Sequence, residues 1–199
     1  MKFKNFIIAF IFCLSLPIKA FSQISSAESF IENFSNNLFT IVKNEEISNQ
    51  KKSQLLVHEI ENSIDANYIC KFVIGRDWRK ASKKFQTNFC DLYKTFLIQT
   101  YSPQFKGYNG ETYKIIKTEE MRKNRFKSII NLITNDNSII EVTIYFIFNR
   151  DNQYKIVDVT AEGISFIATQ RTELKSIIEN QGFDSLLEIL EEKVENLKQ

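Results

Sequence analysis

The order of hydrophobic periodicities along this chain predicts an α+β domain, with helices at both ends packed on one face of a curved, four-stranded antiparallel sheet. Three observations carry the prediction. Up to Tyr101 the apolar residues recur at helical spacing. From Thr112 the period shifts toward two. The two regimes are parted by Pro103, Gly107 and Gly110, which end the helical half.

Residues 1–22 read as an export signal. Lys2 and Lys4 form a basic start, Phe6 to Leu16 is an almost unbroken apolar run, and Ala20 and Ser22 place small residues at the cleavage positions. Cleavage is expected after Ser22, with Ala20 as the alternative. The run is shorter than the roughly 20 apolar residues a membrane-spanning helix needs. Cys13 is preceded by Phe12 rather than the small residue that lipidation requires. The remaining 23–199 is expected to be a single domain, long enough to bury a sizeable core. Export implies the periplasm as destination.

The first helix is expected near 26–43, opened by the capping box Ser25 to Glu28 and striped by Phe30, Ile31, Phe34, Leu38, Ile41 and Val42. A second helix near 50–63 carries Leu55, Leu56 and Ile60. Asp65 can cap a short third helix with Ile69, Phe72 and Val73 on one face. A long helix near 82–101 follows, striped by Phe85, Phe89, Leu92 and Phe96. The strands are expected at 112–119, 125–134, 139–149 and 153–161. The turn clusters Asn135–Ser138 and Asn149–Asn152 make the last three an antiparallel meander. Two helices near 167–180 and 183–197, parted by Gly182, close the chain.

The full chain has 26 basic and 24 acidic residues. The export segment carries Lys2, Lys4 and Lys19 and no acid, so its removal leaves 23 against 24, a net charge of −1. That balance argues against nucleic acid as a partner, which calls for a clear basic surplus. The sequence shows no phosphate-binding glycine loop and no nucleophile elbow. His58 is the one histidine, beside Glu59 and Glu61 on a helix, and reads as a helical surface residue rather than a metal ligand. No catalytic residue, metal or cofactor is expected. Cys70 and Cys90 remain after export; pairing in an oxidising compartment and two free buried thiols both stay open.

Three segments carry a family resemblance: Gly75-Arg76-Asp77-Trp78-Arg79-Lys80-Ala81-Ser82, then Tyr108-Asn109-Gly110-Glu111-Thr112-Tyr113, then Asp158-Val159, Glu162-Gly163-Ile164-Ser165 and Arg171 with Gly182-Phe183-Asp184. In this order, behind an export signal, they resemble the MlaC family, whose members are also known as toluene-tolerance or ABC-transporter auxiliary proteins. Phe85, Gln170 and Leu174 depart from the common pattern.

The resemblance implies a periplasmic carrier that takes phospholipid between an outer-membrane lipoprotein complex and an inner-membrane ABC transporter complex with a lipid-transfer ring. A carrier of hopanoid-type lipid, or an isomerase or hydrolase on a related cone-shaped fold, is the alternative. It further implies that sheet and helices enclose an apolar pocket. The candidate lining is Phe72, Val73, Trp78, Phe89, Leu92 and Phe96 from the helices. From the sheet and the bend after it come Val142, Ile144, Phe146, Val157, Val159, Ile164 and Phe166. Arg76, Arg79, Lys80, Lys83 and Lys84 are candidates to attract a head-group phosphate or an acidic surface. In the last segment, Gly163 is expected to let the backbone bend, Ser165 to cap the following helix, and Arg171 to pair with Asp158 or Glu162.

Overall fold

A computed structural model describes residues 18–108 and 110–197, with side chains from residue 23 onward apart from 104–106. Residues 1–17 of the expected export signal lie outside the described residues. Residues 18–22 form the first turns of helix α1, Ile18–Lys43. Ser25 therefore sits inside a helix, with its carbonyl accepting from the Ser29 hydroxyl, and the expected capping box does not open α1. The remaining helices keep close to their expected bounds. They are α2 (Asn49–Ser63), α3 (Ala66–Ile74), α4 (Lys83–Tyr101) and α5 (Phe166–Asn196). Side-chain caps explain four of the starts. Ser48, Asp65, Ser82 and Ser165 accept hydrogen bonds from the backbone N–H of Lys51, Tyr68, Phe85 and Ala168, each worth about 1 kcal/mol. Gly182 interrupts α5 with φ of 87° and ψ of −178°, so the expected pair of helices is one element with a kink.

The sheet has five strands, not four. They are β1 (Thr112–Arg122), β2 (Arg125–Ile133), β3 (Ile139–Phe148), β4 (Tyr154–Ala161) and the two-residue β5 (Ile164–Ser165), antiparallel neighbours throughout in chain order. The fifth strand arises because Glu162 and Gly163 both adopt positive φ, 50° and 80°. Two successive positive-φ residues make a tight hairpin turn of the kind that matches strand twist. A two-residue strand carries too little periodicity to be read from sequence.

Register explains which residues share a face. Phe126 faces Phe146, Ser128 faces Ile144, and Ile130 faces Val142. Against this face α1 lays Ala27 and Ile31, both fully buried. Tyr113 donates to Asn36 Oδ1 at 2.6 Å, and Phe39 packs on both Tyr113 and Tyr108, so the middle family-like segment clamps α1 to β1. Asn109 of that segment lies outside the described residues.

The last three helical elements form a second body. α3, α4 and α5 enclose their own cluster, built on the ladder Phe85, Phe89, Tyr93 and Phe96 with successive ring centroids 5.2–5.9 Å apart. Phe85, a departure from the family pattern, also meets Phe183 at 4.8 Å, and Leu174, another, is buried in this cluster. Cys70 and Cys90 are joined in a disulfide that ties α3 to α4; of the two states left open, the pair forms. The helical body meets the sheet along β4, where Asp65 N–H donates to the Ile156 carbonyl at 2.9 Å and Ile64 bridges Ile156. Ile64 packs against both clusters.

Candidate lipid site

The expected lining divides between these two clusters. Val73, Phe89 and Phe96 are buried in the helical cluster, with Trp78 and Leu92 half-buried against it. Ile144 and Phe146 are buried in the sheet cluster, with Val142 and Val159 packed on it. Val157 is buried as the extra residue of a bulge between the pairs Tyr145–Asp158 and Phe146–Ile156. Three candidates stand at the surface instead. Phe72 is 39% exposed, Phe166 37% and Ile164 64%. For Phe166 and Ile164 the cause is the unexpected β4–β5 hairpin, which carries them to the sheet rim, where Phe166 stacks on Tyr101 at 5.3 Å.

The helical cluster carries an electrostatic oddity. Among the described residues, three buried side-chain atoms lack a hydrogen-bond partner: Tyr93 Oη, Gln99 Oε1 and Thr100 Oγ1, all on α4. Burial first, then the nearby Tyr101, Glu173 and Asp158, push the Tyr93 phenol far above its ordinary range. An unsatisfied buried hydroxyl costs about 1–3 kcal/mol. In the sheet cluster the matching polar pair is settled, with Thr118 and Ser128 hydrogen-bonded to each other at 3.0 Å.

The first and last of the family-like segments meet. Arg171, expected to pair with Asp158 or Glu162, comes within ion-pair distance of neither, and Asp158 instead organises the start of α5. Its carboxylate accepts from Val159 N–H at 2.8 Å, Ser165 Oγ at 2.6 Å and Ile167 N–H at 3.2 Å. Arg171 turns the other way. Its guanidinium lies 5.0 Å from the Phe72 ring centroid and against Gly75, where a Cβ would come within 2.7 Å of Nη2. Gly75 itself sits at φ 63°. The glycine is thus demanded twice, by backbone conformation and by the arginine. This contact joins positions far apart in sequence, so periodicity could not reveal it.

Beside it opens a groove of about 700 Å³, lined by Ile74, Arg76, Asp77, Arg79, Lys80, Arg171, Lys175 and Glu179. Of the expected basic candidates, Arg76, Arg79 and Lys80 line it. Lys83 and Lys84 do not, and Lys83 donates to Gln86 instead. Arg171 and Lys175 are the members sequence reasoning missed. A wider groove of about 1080 Å³ lies between α3, α4 and the turns of the sheet, and its lining mixes both charges. Within it Lys94 pairs with Glu61 at 3.3 Å and Arg125 donates to Tyr68 Oη at 2.7 Å. Among the described residues, no group of three His, Cys, Asp or Glu side chains is placed to hold a metal, and no helix is long and apolar enough to cross a membrane.

Comparison with known proteins bears on this geometry. The profile of the MlaC protein family matches residues 32–192. The intermembrane phospholipid transport system binding protein MlaC of Haemophilus influenzae is 24% identical over 172 residues, covering 85% of this chain and 74% of that protein. The phospholipid-binding protein of Ralstonia solanacearum, solved in complex with a phospholipid, superposes with a TM-score of 0.72 at 18% identity, covering 88% of this chain and 98% of the other. The chain belongs to the MlaC family.

Proposed function

From membership of the MlaC family we infer that this protein is a phospholipid carrier working between two membranes. The family match over residues 32–192 carries the reading, and the shared fold of a protein solved with phospholipid supports it. The physics explains the need. A two-tailed phospholipid has roughly 30 methylene-type groups, and exposing them to water costs on the order of 20 kcal/mol at about 0.8 kcal/mol each. A carrier must offer comparable apolar area and still let go.

The lining of this proposal comes from the candidates held inside: Val73, Trp78, Phe89, Leu92 and Phe96 on the helical side, and Val142, Ile144, Phe146, Val157 and Val159 on the sheet side. Tails enter by parting the two clusters along the seam at Ile64. α4 is the element that gives way, because the unsatisfied polar atoms of the described interior all lie on it. Phe72, Ile164 and Phe166 are left at the rim. The carrier works in the periplasm after removal of the export segment, and residues 23–199 act as one domain. Its exchange partners are an inner-membrane ABC transporter complex with a lipid-transfer ring and an outer-membrane lipoprotein complex. No side chain is assigned a catalytic role.

The test is direct. Protein exported from a Gram-negative host is extracted with solvent and its bound lipid identified by mass spectrometry. Stoichiometric phospholipid is expected. A protein that is repeatedly empty and also takes no lipid from vesicles would falsify the reading.

A further inference from the structure

We propose that the groove between Gly75–Lys80 and Arg171–Glu179 is a phosphate subsite, which holds the head group of the carried lipid through the guanidinium groups of Arg76, Arg79 and Arg171. The inference rests on the carrier reading and adds to it a place and a chemistry for the head group.

Charge bookkeeping within the groove singles out the three arginines. Its lining holds five basic and two acidic residues. The two acids are taken by the two lysines. Lys80 Nζ lies 2.6 Å from Asp77, and Lys175 Nζ lies 3.3 Å from Glu179. The Lys80 hydrogen bond holds the Asp77 carboxyl below its usual range, so Asp77 stays ionised and engaged. Among the described residues, no carboxylate comes within 4 Å of the guanidinium of Arg76, Arg79 or Arg171. Arg76 acts on Asp77 only through longer-range attraction, so three planar forks with no carboxylate at ion-pair distance face the oxygens of a phosphate, which they can grip in pairs.

The groove is also organised for the task. Arg171 is half-buried and held over the Phe72 ring at 5.0 Å, so part of its ordering cost is met before any ligand arrives. The α3 helix ends at Gly75, whose missing side chain leaves room for that guanidinium. The floor is Ile74, only 3% exposed and a member of the helical cluster. A phosphate seated on the arginines therefore lies beside a residue of the helical cluster that supplies Val73, Phe89 and Phe96 to the proposed lining.

The experiment uses delipidated protein and three probes. These are vesicles containing phosphatidylcholine and diacylglycerol of identical chains in equal amounts, the same vesicles with inorganic phosphate added, and inorganic phosphate alone by calorimetry. Wild type is compared with Arg76→Gln/Arg171→Gln and with Gly75→Ala, which keeps every charge but pushes the Arg171 guanidinium aside. Lipid taken up is identified by mass spectrometry, and circular dichroism confirms folding of each variant.

Wild type is expected to prefer the phosphate-bearing lipid by about tenfold, the scale of one lost charge-assisted hydrogen bond. The double variant should take both lipids equally while still loading, and Gly75→Ala should fall between. Phosphate that binds alone and lowers the preference marks the phosphate group itself as the recognised element. Binding of phosphate alone by wild type, lost in the double variant and with no lipid preference, assigns the subsite to free phosphate and overturns the head-group role. Equal uptake by wild type and both variants, with no phosphate bound, overturns the subsite and leaves the carrier intact; an acidic protein surface is then the occupant to test. No uptake of either lipid by wild type sinks the carrier reading instead.

Discussion

The two larger of the three apolar clusters among the described residues have opposite finish; the third, smaller one joins Leu38 and Val42 of α1 to Leu56 of α2. The sheet cluster is locked by register. Each strand pairs with its neighbour in order, α1 is pinned by Tyr113 and Phe39, and the polar pair Thr118 and Ser128 satisfies itself inside. The helical cluster is held mainly by ring stacking and one disulfide, with three polar atoms on α4 left without a partner. It touches the sheet mostly along β4. A strand cannot leave a ladder without breaking a row of hydrogen bonds, whereas a helix carries its backbone bonds with it when it shifts. On the proposed reading the sheet body is the frame and the helical body the part that adapts to cargo.

The largest effect separates the two. Phe89 and Phe126 are both fully buried, one in each cluster. Phe89→Ala and Phe126→Ala should each lower unfolding free energy by about 3–5 kcal/mol in denaturant titration. Only Phe89→Ala should also lower bound phospholipid per folded molecule. Equal lipid loss in both would mean the bodies share the cargo evenly and the contrast is false.

Next comes the disulfide. Cys70→Ser/Cys90→Ser removes a bridge across a sequence separation of 20 residues, and stability should drop by about 3 kcal/mol on loop-closure grounds. Hydrogen exchange should show the added opening in α3 and α4 while β2 and β3 keep their protection. Uniform loss across the molecule would show that the two bodies unfold as one.

Gly163→Val acts in the β4–β5 turn just ahead of α5. A Cβ there meets nothing within 4 Å, so the cost is that of placing a β-branched residue at φ 80°. That cost is about 1–2 kcal/mol, read as a lower thermal midpoint. A variant as stable as wild type would show that the turn relaxes freely and the β5 hairpin is no fixed joint.

The smallest effect has the opposite sign. Tyr93→Phe deletes the orphaned hydroxyl, so the lipid-free protein should gain about 1 kcal/mol. The lipid-loaded protein should gain less if cargo or accompanying water satisfies that hydroxyl. A destabilised lipid-free variant would show that the Tyr93 hydroxyl already has a partner.

Element identity was largely legible because it depends on short-range pattern. The caps Asp65 and Ser165 and the alternation from Ile140 to Phe148 are local signals, and the helices after α1 and the four long strands follow the expected pattern closely. Family membership was legible in the same way, from three segments in order. Candidate lining residues were legible only as apolar positions. Phe72 shares its helix face with Ile69 and Val73 in the sequence pattern. It nevertheless lies at the surface, with the Arg171 guanidinium from α5 over its ring.

By itself, then, the sequence determined the α+β class, the order of the longer elements, where α2, α3 and α4 start and which strand positions are apolar. Each of these rests on residues within a few positions of one another. Tertiary structure decided that the apolar positions divide among three clusters, two large and one small, rather than one. It also decided that Cys70 pairs with Cys90, that Asp158 caps α5 instead of binding Arg171, and that Arg171 meets Gly75 beside Arg76 and Arg79. Those outcomes depend on where separate elements dock. Docking is settled by packing between surfaces, and the hydrophobic driving force behind it is non-directional and does not name its partner.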